Sequence, residues 1–127
     1  MRLWLFFAGL SGACGVLLGA YGAHGFTGSA AAKSLFDTAL RWQFWHLPGL
    51  IAASLLVPRA TSFLAENLLF VAGAGFAAGT LLFCGTLYMQ ALTGVTPVPM
   101  AAPAGGVCFL IGWLALSTFA TTRMVRR

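Results

Sequence analysis

The amino-acid sequence predicts an all-α integral membrane protein, a bundle of four transmembrane helices in a single domain that covers residues 1–127. Sixty per cent of the residues are apolar and only 7% are charged, whereas a soluble domain carries about a quarter charged residues. The charges leave three long stretches empty, namely 3–32, 42–58 and 67–122. Because a spanning helix needs about 20 apolar residues, these stretches hold one, one and two spans, the middle one with help from its flanks.

The elements follow from this charge pattern and from the capping residues. The spans are expected at about 3–23, 42–57, 67–92 and 104–122. A short amphipathic helical segment, 30–42, is expected between the first two spans, with Thr27 or Ser29 as its cap. Pro48 predicts a kink in span two, because it removes a backbone donor and crowds the preceding turn. Ser62 is the expected cap of span three.

A cleaved signal peptide and a soluble helical core are the two alternatives to this architecture. The first apolar run extends from Leu3 to Ala23, longer than the roughly 7–15 residues of a signal-peptide core, so we expect it to be retained. Seven basic and two acidic side chains are too few to cover a globule of this size in water. The membrane bundle is therefore the preferred prediction.

The basic residues predict the orientation of the chain in the membrane. They form no patch with interleaved aromatic residues, so the net charge of +5 does not indicate nucleic-acid binding. With four spans, one side carries five arginines: Arg2, Arg59, Arg123, Arg126 and Arg127. The other side carries Lys33 and Arg41. The positive-inside rule places both termini in the cytoplasm of a cell (inner) membrane, or in the matrix if the membrane is the mitochondrial inner one.

Small residues recur at helical spacing in three of the spans. Helices in lipid associate by close backbone approach, which requires small side chains at the contact. Heptad-like spacing predicts helix packing at Gly12, Gly15, Gly19, Gly22, Gly75, Gly79, Gly105 and Gly112. Glycine is also common in membrane helices in general, but scatter would rarely keep the spacing in three helices. We therefore expect a tightly packed bundle.

Span two carries the polar residues that a membrane protein uses sparingly. Asp37 and Arg41 are four residues apart, so an ion pair between them at headgroup level is expected. His46 is seven residues from both Ala39 and Ala53, which places these three residues on one helix face. Ionisable residues inside the membrane normally face the bundle and indicate function. A hydrogen bond from His46 to a neighbouring helix would be the purely structural alternative.

Several short motifs along the chain match a pattern known from other proteins: Gly19-Ala20-Tyr21-Gly22-Ala23-His24-Gly25, Leu35-Phe36-Asp37-Thr38-Ala39, Arg41-Trp42-Gln43-Phe44-Trp45-His46, Leu82-Phe83-Cys84-Gly85-Thr86-Leu87-Tyr88 and Ala102-Pro103-Ala104-Gly105-Gly106. With these motifs the chain resembles a family of small membrane proteins of unknown function, domain of unknown function four-two-three. Pro48-Gly49 departs from the pattern. An animal member, transmembrane protein two-five-six, is similar in the last two spans. The resemblance implies four spans and groups five residues into a candidate polar site near the outer face: His24, Asp37, Arg41, Gln43 and His46.

Three functions are compatible with these residues. The first is a structural or accessory protein, such as an assembly partner in a larger membrane complex, because no catalytic triad or nucleotide-binding loop is present in the sequence. The second is a binding or transport protein for a small ligand, a metal or protons that uses the candidate polar site. The third is an enzyme that acts on lipid, with His24 and Asp37 as an acid–base pair. The first is preferred, and an enzyme is less expected.

Neither a cofactor nor a metal site is assigned from the sequence. Cys14, Cys84 and Cys108 lie within spans and lack the close spacing of a zinc or redox motif. Sulfur ligands with imidazole would suit copper(I), but cysteine and methionine are more often packing residues. Membrane lipid is the expected partner, with other membrane proteins or self-association as open alternatives, and nucleic acid is not expected.

Overall fold

A computed structural model describes the backbone of residues 2–124 and the side chains of residues 2–122. Within that part, the chain forms four helices and no strand: α1 (Arg2–His24), α2 (Ala30–Leu56), α3 (Phe63–Thr93) and α4 (Ala101–Met124). A 3₁₀ turn, Val57–Arg59, follows α2. The prediction of an all-α bundle is confirmed. Of the arginines that predict the orientation, Arg126 and Arg127 and the side chain of Arg123 lie outside the described residues.

Contacts between successive helices show that the bundle is antiparallel throughout. In each pair of helices, a contact further along one helix lies earlier in the next: Gly12 meets Leu47 and Gly22 meets Phe36, Phe36 meets Tyr88 and Gly49 meets Phe76, and Gly75 meets Gly112 and Phe83 meets Gly105. The start of α1 and the connection 57–62 therefore lie at one end of the bundle, the terminal end. The connections 25–29 and 94–100 lie at the other, the two-loop end.

The helix ends follow the predicted capping chemistry. Ser29 caps α2 by accepting the Ala32 N–H at 3.1 Å, and Ser62 caps α3 by accepting the Ala65 N–H at 3.2 Å. Gly94, with φ of +73°, ends α3 in the left-handed region that glycine tolerates best. The helices α3 and α4 begin a few residues before the expected 67 and 104. The amphipathic segment is continuous with span two, and α2 remains helical through Pro48.

Three of the described helices are long and apolar enough to cross a membrane: Arg2–His24, Phe63–Thr93 and Ala101–Thr122. Lys33, Asp37 and Arg41 lie in the first half of α2 and leave only its second half uninterrupted by charge. Nevertheless, α2 lies between α1 and α3 along its length, with Phe36, Leu50 and other residues buried. It therefore passes through the same layer as its neighbours.

The interface between α1 and α2 is a ladder of glycines that receives larger side chains. Each of four α1 glycines faces one α2 side chain: Gly22 faces Phe36, Gly19 faces Leu40, Gly15 faces Phe44 and Gly12 faces Leu47. A β-carbon on Gly15 would lie 2.7 Å from the Phe44 ring, and one on Gly22 would lie 2.8 Å from the Phe36 ring. Distances of this kind are shorter than van der Waals contact, so these glycines let the two helices approach closely.

The closest helix pair is α3 with α4, where backbone meets backbone. A β-carbon on Gly75 would lie 2.7 Å from the Cys108 carbonyl oxygen and 3.0 Å from the Gly112 nitrogen. One on Gly105 would overlap the backbone of Phe83. Gly79 leaves room for the ring of Phe109. Backbone cannot rotate away as a flexible side chain can, so these positions have little tolerance for a larger residue.

A five-residue π-helical turn, Thr80–Cys84, interrupts α3. Before it, the buried residues include Ala72, Phe76 and Gly79; after it, they are Thr86, Leu87, Tyr88 and Ala91, a broader buried face. A π turn accommodates one extra residue and therefore rotates the following helix face. The sequence predicts a single span at 67–92 and does not indicate this turn.

Neighbouring glycines of α4 provide a matched test of this packing. Gly105→Ala should lower the free energy of unfolding in detergent by about 1–3 kcal/mol, because its methyl group would overlap Phe83. A methyl group on Gly106 would meet no heavy atom of a neighbouring helix within 4 Å, so Gly106→Ala should be neutral or stabilising by up to about 1 kcal/mol. Circular dichroism during denaturation measures both, and equal effects of the two substitutions would contradict the packing argument.

Candidate functional site

Gln43 connects three helices through its side-chain amide. Its Nε2 donates to the Ser11 carbonyl oxygen of α1 at 2.8 Å and approaches the Ser11 hydroxyl at 3.3 Å. Its Oε1 accepts the hydroxyl of Tyr88 from α3 at 2.7 Å. Gln43 is only 5% exposed, so a polar group without partners would be costly at this position. The amide is satisfied inside the protein, which makes it a structural connection.

A small cavity of about 180 Å³ lies beside this connection, between α1, α2 and α3. Its lining includes Ser11, Cys14, Gln43 and Thr80 among apolar residues. The Thr80 hydroxyl donates to the Phe76 carbonyl oxygen at 2.9 Å, within its own helix. Gln43 is engaged as described above. The polar groups that border this cavity therefore already have partners within the chain.

His46 lies among aromatic rings on the other side of α2. Its ring stacks on Phe109 of α4 with centroids 3.6 Å apart and an interplanar angle of 12°, and it stacks on Trp42 at 5.4 Å. Its Nδ1 lies 2.7 Å from the Trp42 carbonyl oxygen, one turn earlier in the same helix. Ala39, His46 and Ala53 are all buried, which confirms the predicted face of α2. The hydrogen bond is made within α2 rather than to a neighbouring helix.

A larger cavity of about 280 Å³ lies on this side of α2 and is lined by Arg41, Trp42, Trp45 and His46. We call it the α2 groove. Residues four apart share a helix face, so Arg41 with Trp45 and Trp42 with His46 form two adjacent rows. The Trp42 ring also lies against Phe83 of α3, with centroids 4.7 Å apart. The groove therefore combines one cation, one imidazole and two indole rings.

Asp37 pairs with Lys33, and the expected pair with Arg41 is wrong. The Asp37 carboxylate contacts the Nζ of Lys33, which lies one turn earlier in α2, and both side chains are partly exposed. Lys33 and Arg41 are both four residues from Asp37. The ion pair forms with Lys33, which lies nearer the two-loop end, where a cation has easier access to water. No ion pair with Arg41 is found among the side chains of residues 2–122.

The five residues of the predicted polar site do not form one cluster in the structure. Arg41 and His46 share the α2 groove, whereas Gln43 faces α1 and α3. Asp37 is engaged by Lys33 on the helix surface, and His24 is exposed at the end of α1. The place of Trp42 in the groove wall was not predicted from the sequence. The spacing of residues 41, 42, 45 and 46 places their side chains in two adjacent rows of one helix, which is the pattern that indicates a shared wall.

The position of Arg41 along the bundle is given by the contacts of its neighbour. Leu40 faces Gly19 of α1, four residues before Ala23, where the apolar run of α1 ends. With a rise of 1.5 Å per residue, the backbone of Leu40 lies about 6 Å inside that end, and that of Arg41, one residue further in, about 7 to 8 Å. A long arginine side chain spans such a distance, so its guanidinium can reach the headgroup level of a bilayer.

No metal-binding group emerges from the described side chains. Among residues 2–122, three or more His, Cys, Asp or Glu side chains do not converge anywhere. Cys84 is buried within α3, and Cys14 is exposed on α1. The cation and the imidazole of the α2 groove are thus the chemistry that this part of the chain offers to a ligand.

Comparison with known proteins shows similarity to bacterial membrane proteins. The model of a family described as "Protein of unknown function (DUF423)" matches residues 18–106. The chain is 34% identical over 116 residues to a UPF0382 membrane protein of Haemophilus influenzae, with 90% of each chain covered. It is 33% identical over 128 residues to the UPF0382 inner membrane protein YgdD of Escherichia coli K12, with 99% of this chain and 94% of YgdD covered. No solved structure matches.

The connection through Gln43 can be measured with a double-mutant cycle. Gln43→Leu and Tyr88→Phe each remove one partner of the hydrogen bond, and the double variant removes both. The coupling free energy should be about 0.6 kcal/mol and at most about 1.7 kcal/mol, the range of such bonds in membrane proteins. Unfolding of the four proteins in detergent gives this value. Strict additivity of the two substitutions would show that the bond contributes nothing.

Proposed function

This chain belongs to the DUF423 family of membrane proteins, and we propose that it is a non-catalytic accessory protein that holds the phosphate of an anionic lipid in the α2 groove. The observation that carries the proposal is Arg41, a cation that borders a cavity with aromatic walls and whose side chain can reach headgroup level. The Escherichia coli relative named above is an inner membrane protein, which supports a location of this chain in a membrane. The lipid ligand goes beyond what this similarity indicates and is the specific part of the proposal.

The first support is the supply of counter-ions within the chain. The sequence contains two acidic side chains, Asp37 and Glu66. Asp37 is paired with Lys33, and Glu66 lies in the first turn of α3 at the terminal end, far from Arg41 along the bundle. Neither is placed to neutralise the guanidinium. An anion from outside the chain is therefore its natural partner, and lipid phosphate is the abundant anion at this depth.

The second support is the shape and chemistry of the groove. Trp45 is 73% exposed and Trp42 is 39% exposed, so both indoles face the surroundings of the bundle. Indole rings favour the level where acyl chains meet headgroups. The cavity volume of about 280 Å³ is just below the roughly 300–1,000 Å³ typical of pockets that enclose a small ligand. That size suits a headgroup whose chain remains in the bilayer.

An accessory role is consistent with this chemistry. Holding a phosphate requires a cation and hydrogen-bond donors, but no nucleophile and no acid–base pair. The pair proposed for a lipid enzyme, His24 with Asp37, receives no support, because the Asp37 carboxylate is engaged by Lys33. Other membrane proteins or a second copy of the chain remain expected partners of the exposed apolar helix faces. A bound lipid would then lie at the edge of such a contact.

The orientation predicted from the arginines is part of the proposal. With both termini in the cytoplasm of a bacterial inner membrane, the two-loop end faces outwards. The α2 groove then opens at the outer leaflet. In this topology the outward side carries Lys33 and Arg41 against five arginines on the other side, and this difference in basic residues supports the orientation.

Removal of the groove cation tests the proposal directly. Arg41→Gln should weaken the binding of phosphatidylglycerol by about 10- to 100-fold, the factor expected for a charge-assisted hydrogen bond. Arg59→Gln, which removes an exposed arginine at the terminal end, should leave binding at the groove unchanged. Titration of the delipidated protein, followed by native mass spectrometry, measures both, with zwitterionic phosphatidylcholine, whose phosphate is balanced by its own ammonium, as the comparison of zero net charge. Equal binding by wild type and Arg41→Gln would refute the proposal.

The orientation is tested with reporter fusions. Green fluorescent protein fused after residue 127 should fluoresce in a bacterial host, because it folds in the cytoplasm. Alkaline phosphatase fused within the connection 94–100 should be active, because it folds outside. The reverse pattern would place the α2 groove at the cytoplasmic leaflet and would disprove the orientation without affecting the lipid site.

A further inference from the structure

We infer that the ligand of the α2 groove carries a free hydroxyl on the chain side of its phosphate, as the glycerol of a lysophospholipid does, and that His46 accepts a hydrogen bond from that hydroxyl. The inference rests on the proposed function, since Arg41 is taken as the phosphate site. It deepens that function by naming the class of lipid and the residue that selects it.

The first step is the tautomer of His46. Its Nδ1 lies 2.7 Å from the Trp42 carbonyl oxygen, and a carbonyl oxygen only accepts. Nδ1 therefore carries the proton and donates it to Trp42. In the neutral ring, Nε2 is then an acceptor with a lone pair and no proton. Any group that bonds to Nε2 has to be a donor.

The second step is the accessibility of Nε2. Among the described residues, no side-chain nitrogen or oxygen is both fully buried and without a hydrogen-bond partner. His46 is only 7% exposed and its hydrogen bond is made through Nδ1, so Nε2 is partly exposed rather than fully buried. His46 lines the α2 groove, which is the cavity next to it. The stacked Phe109 ring covers one face of the imidazole and fixes its plane.

The third step is the order of the two groups along the membrane normal. His46 follows Arg41 by five residues in a helix that runs away from the two-loop end. At 1.5 Å per residue, it lies about 7 to 8 Å deeper than Arg41. A lipid has the same order, with phosphate outermost, then glycerol, then the acyl chain. With phosphate at Arg41, the glycerol lies on the side of it that faces His46.

The fourth step is the choice between donors. In a diacyl lipid both glycerol oxygens of this region are esterified and offer only acceptors, which cannot bond to Nε2. A headgroup ammonium is a donor, but it lies on the water side of the phosphate and is repelled by Arg41. A free glycerol hydroxyl meets both requirements, because it is a neutral donor and lies on the chain side.

The test compares two single-chain ligands that differ in one oxygen. 1-Acyl-lysophosphatidate has the hydroxyl, and its 2-deoxy analogue has the same chain and phosphate without it. Wild-type protein should bind the hydroxyl ligand about five- to tenfold more tightly, the factor that one neutral hydrogen bond supplies. In His46→Phe, which keeps an aromatic ring against Phe109, the two ligands should bind equally, and binding of the deoxy analogue should not change.

The failures of this inference and of the proposed function give different results. If wild-type protein binds both ligands equally and Arg41→Gln weakens both, the phosphate site stands and the hydroxyl contact is wrong. If Arg41→Gln weakens neither, the phosphate site itself is wrong. A preference for the hydroxyl ligand that persists in His46→Phe would assign the contact to another residue. Equal binding of the two ligands by wild-type protein overturns the hydroxyl contact even if His46→Phe proves unstable.

Discussion

The bundle depends on close approach between helices at their glycines. Lipid chains are as apolar as the helices, so burial of leucine and phenylalanine gives little drive for association, and packing at short distance has to supply it. In α1, successive glycines each receive a larger side chain of α2, such as Phe36 at Gly22. Between α3 and α4 the approach is closer still, because at Gly75 the neighbour is backbone. Each interface pairs small residues on one helix with bulk or backbone on the next.

This packing allows α2 to carry polar groups that its own composition makes costly. Apolar helices lie on both sides of it, so the side chains of Gln43 and His46 are largely buried. Gln43 uses its amide fully to join α1 and α3. His46 bonds through Nδ1 to the backbone of its own helix. One of these two polar residues therefore joins helices, whereas the other is held by its own helix.

Much of this architecture could be predicted from the sequence, because charge avoidance, capping and small-residue spacing are properties of residue type. The partner of Asp37 could not, since Lys33 and Arg41 are both four residues away and helix geometry treats them alike. The π turn in α3 could not either, because it depends on how one helix meets two neighbours at once. Gln43 and His46 are three residues apart and belong to one motif, yet they face different helices; only tertiary packing separates them.

The charge of Arg41 connects the fold to its surroundings. A guanidinium keeps its proton under any physiological condition, so a position at the edge of the apolar layer leaves it two options, hydration or an anion. Hydration alone would require only a snorkelling side chain and no cavity. Here the cation instead borders a groove lined by two indoles and an imidazole. A lipid that carries both a phosphate and a hydroxyl would match the cation and the imidazole together, between indoles that suit the level where acyl chains meet headgroups.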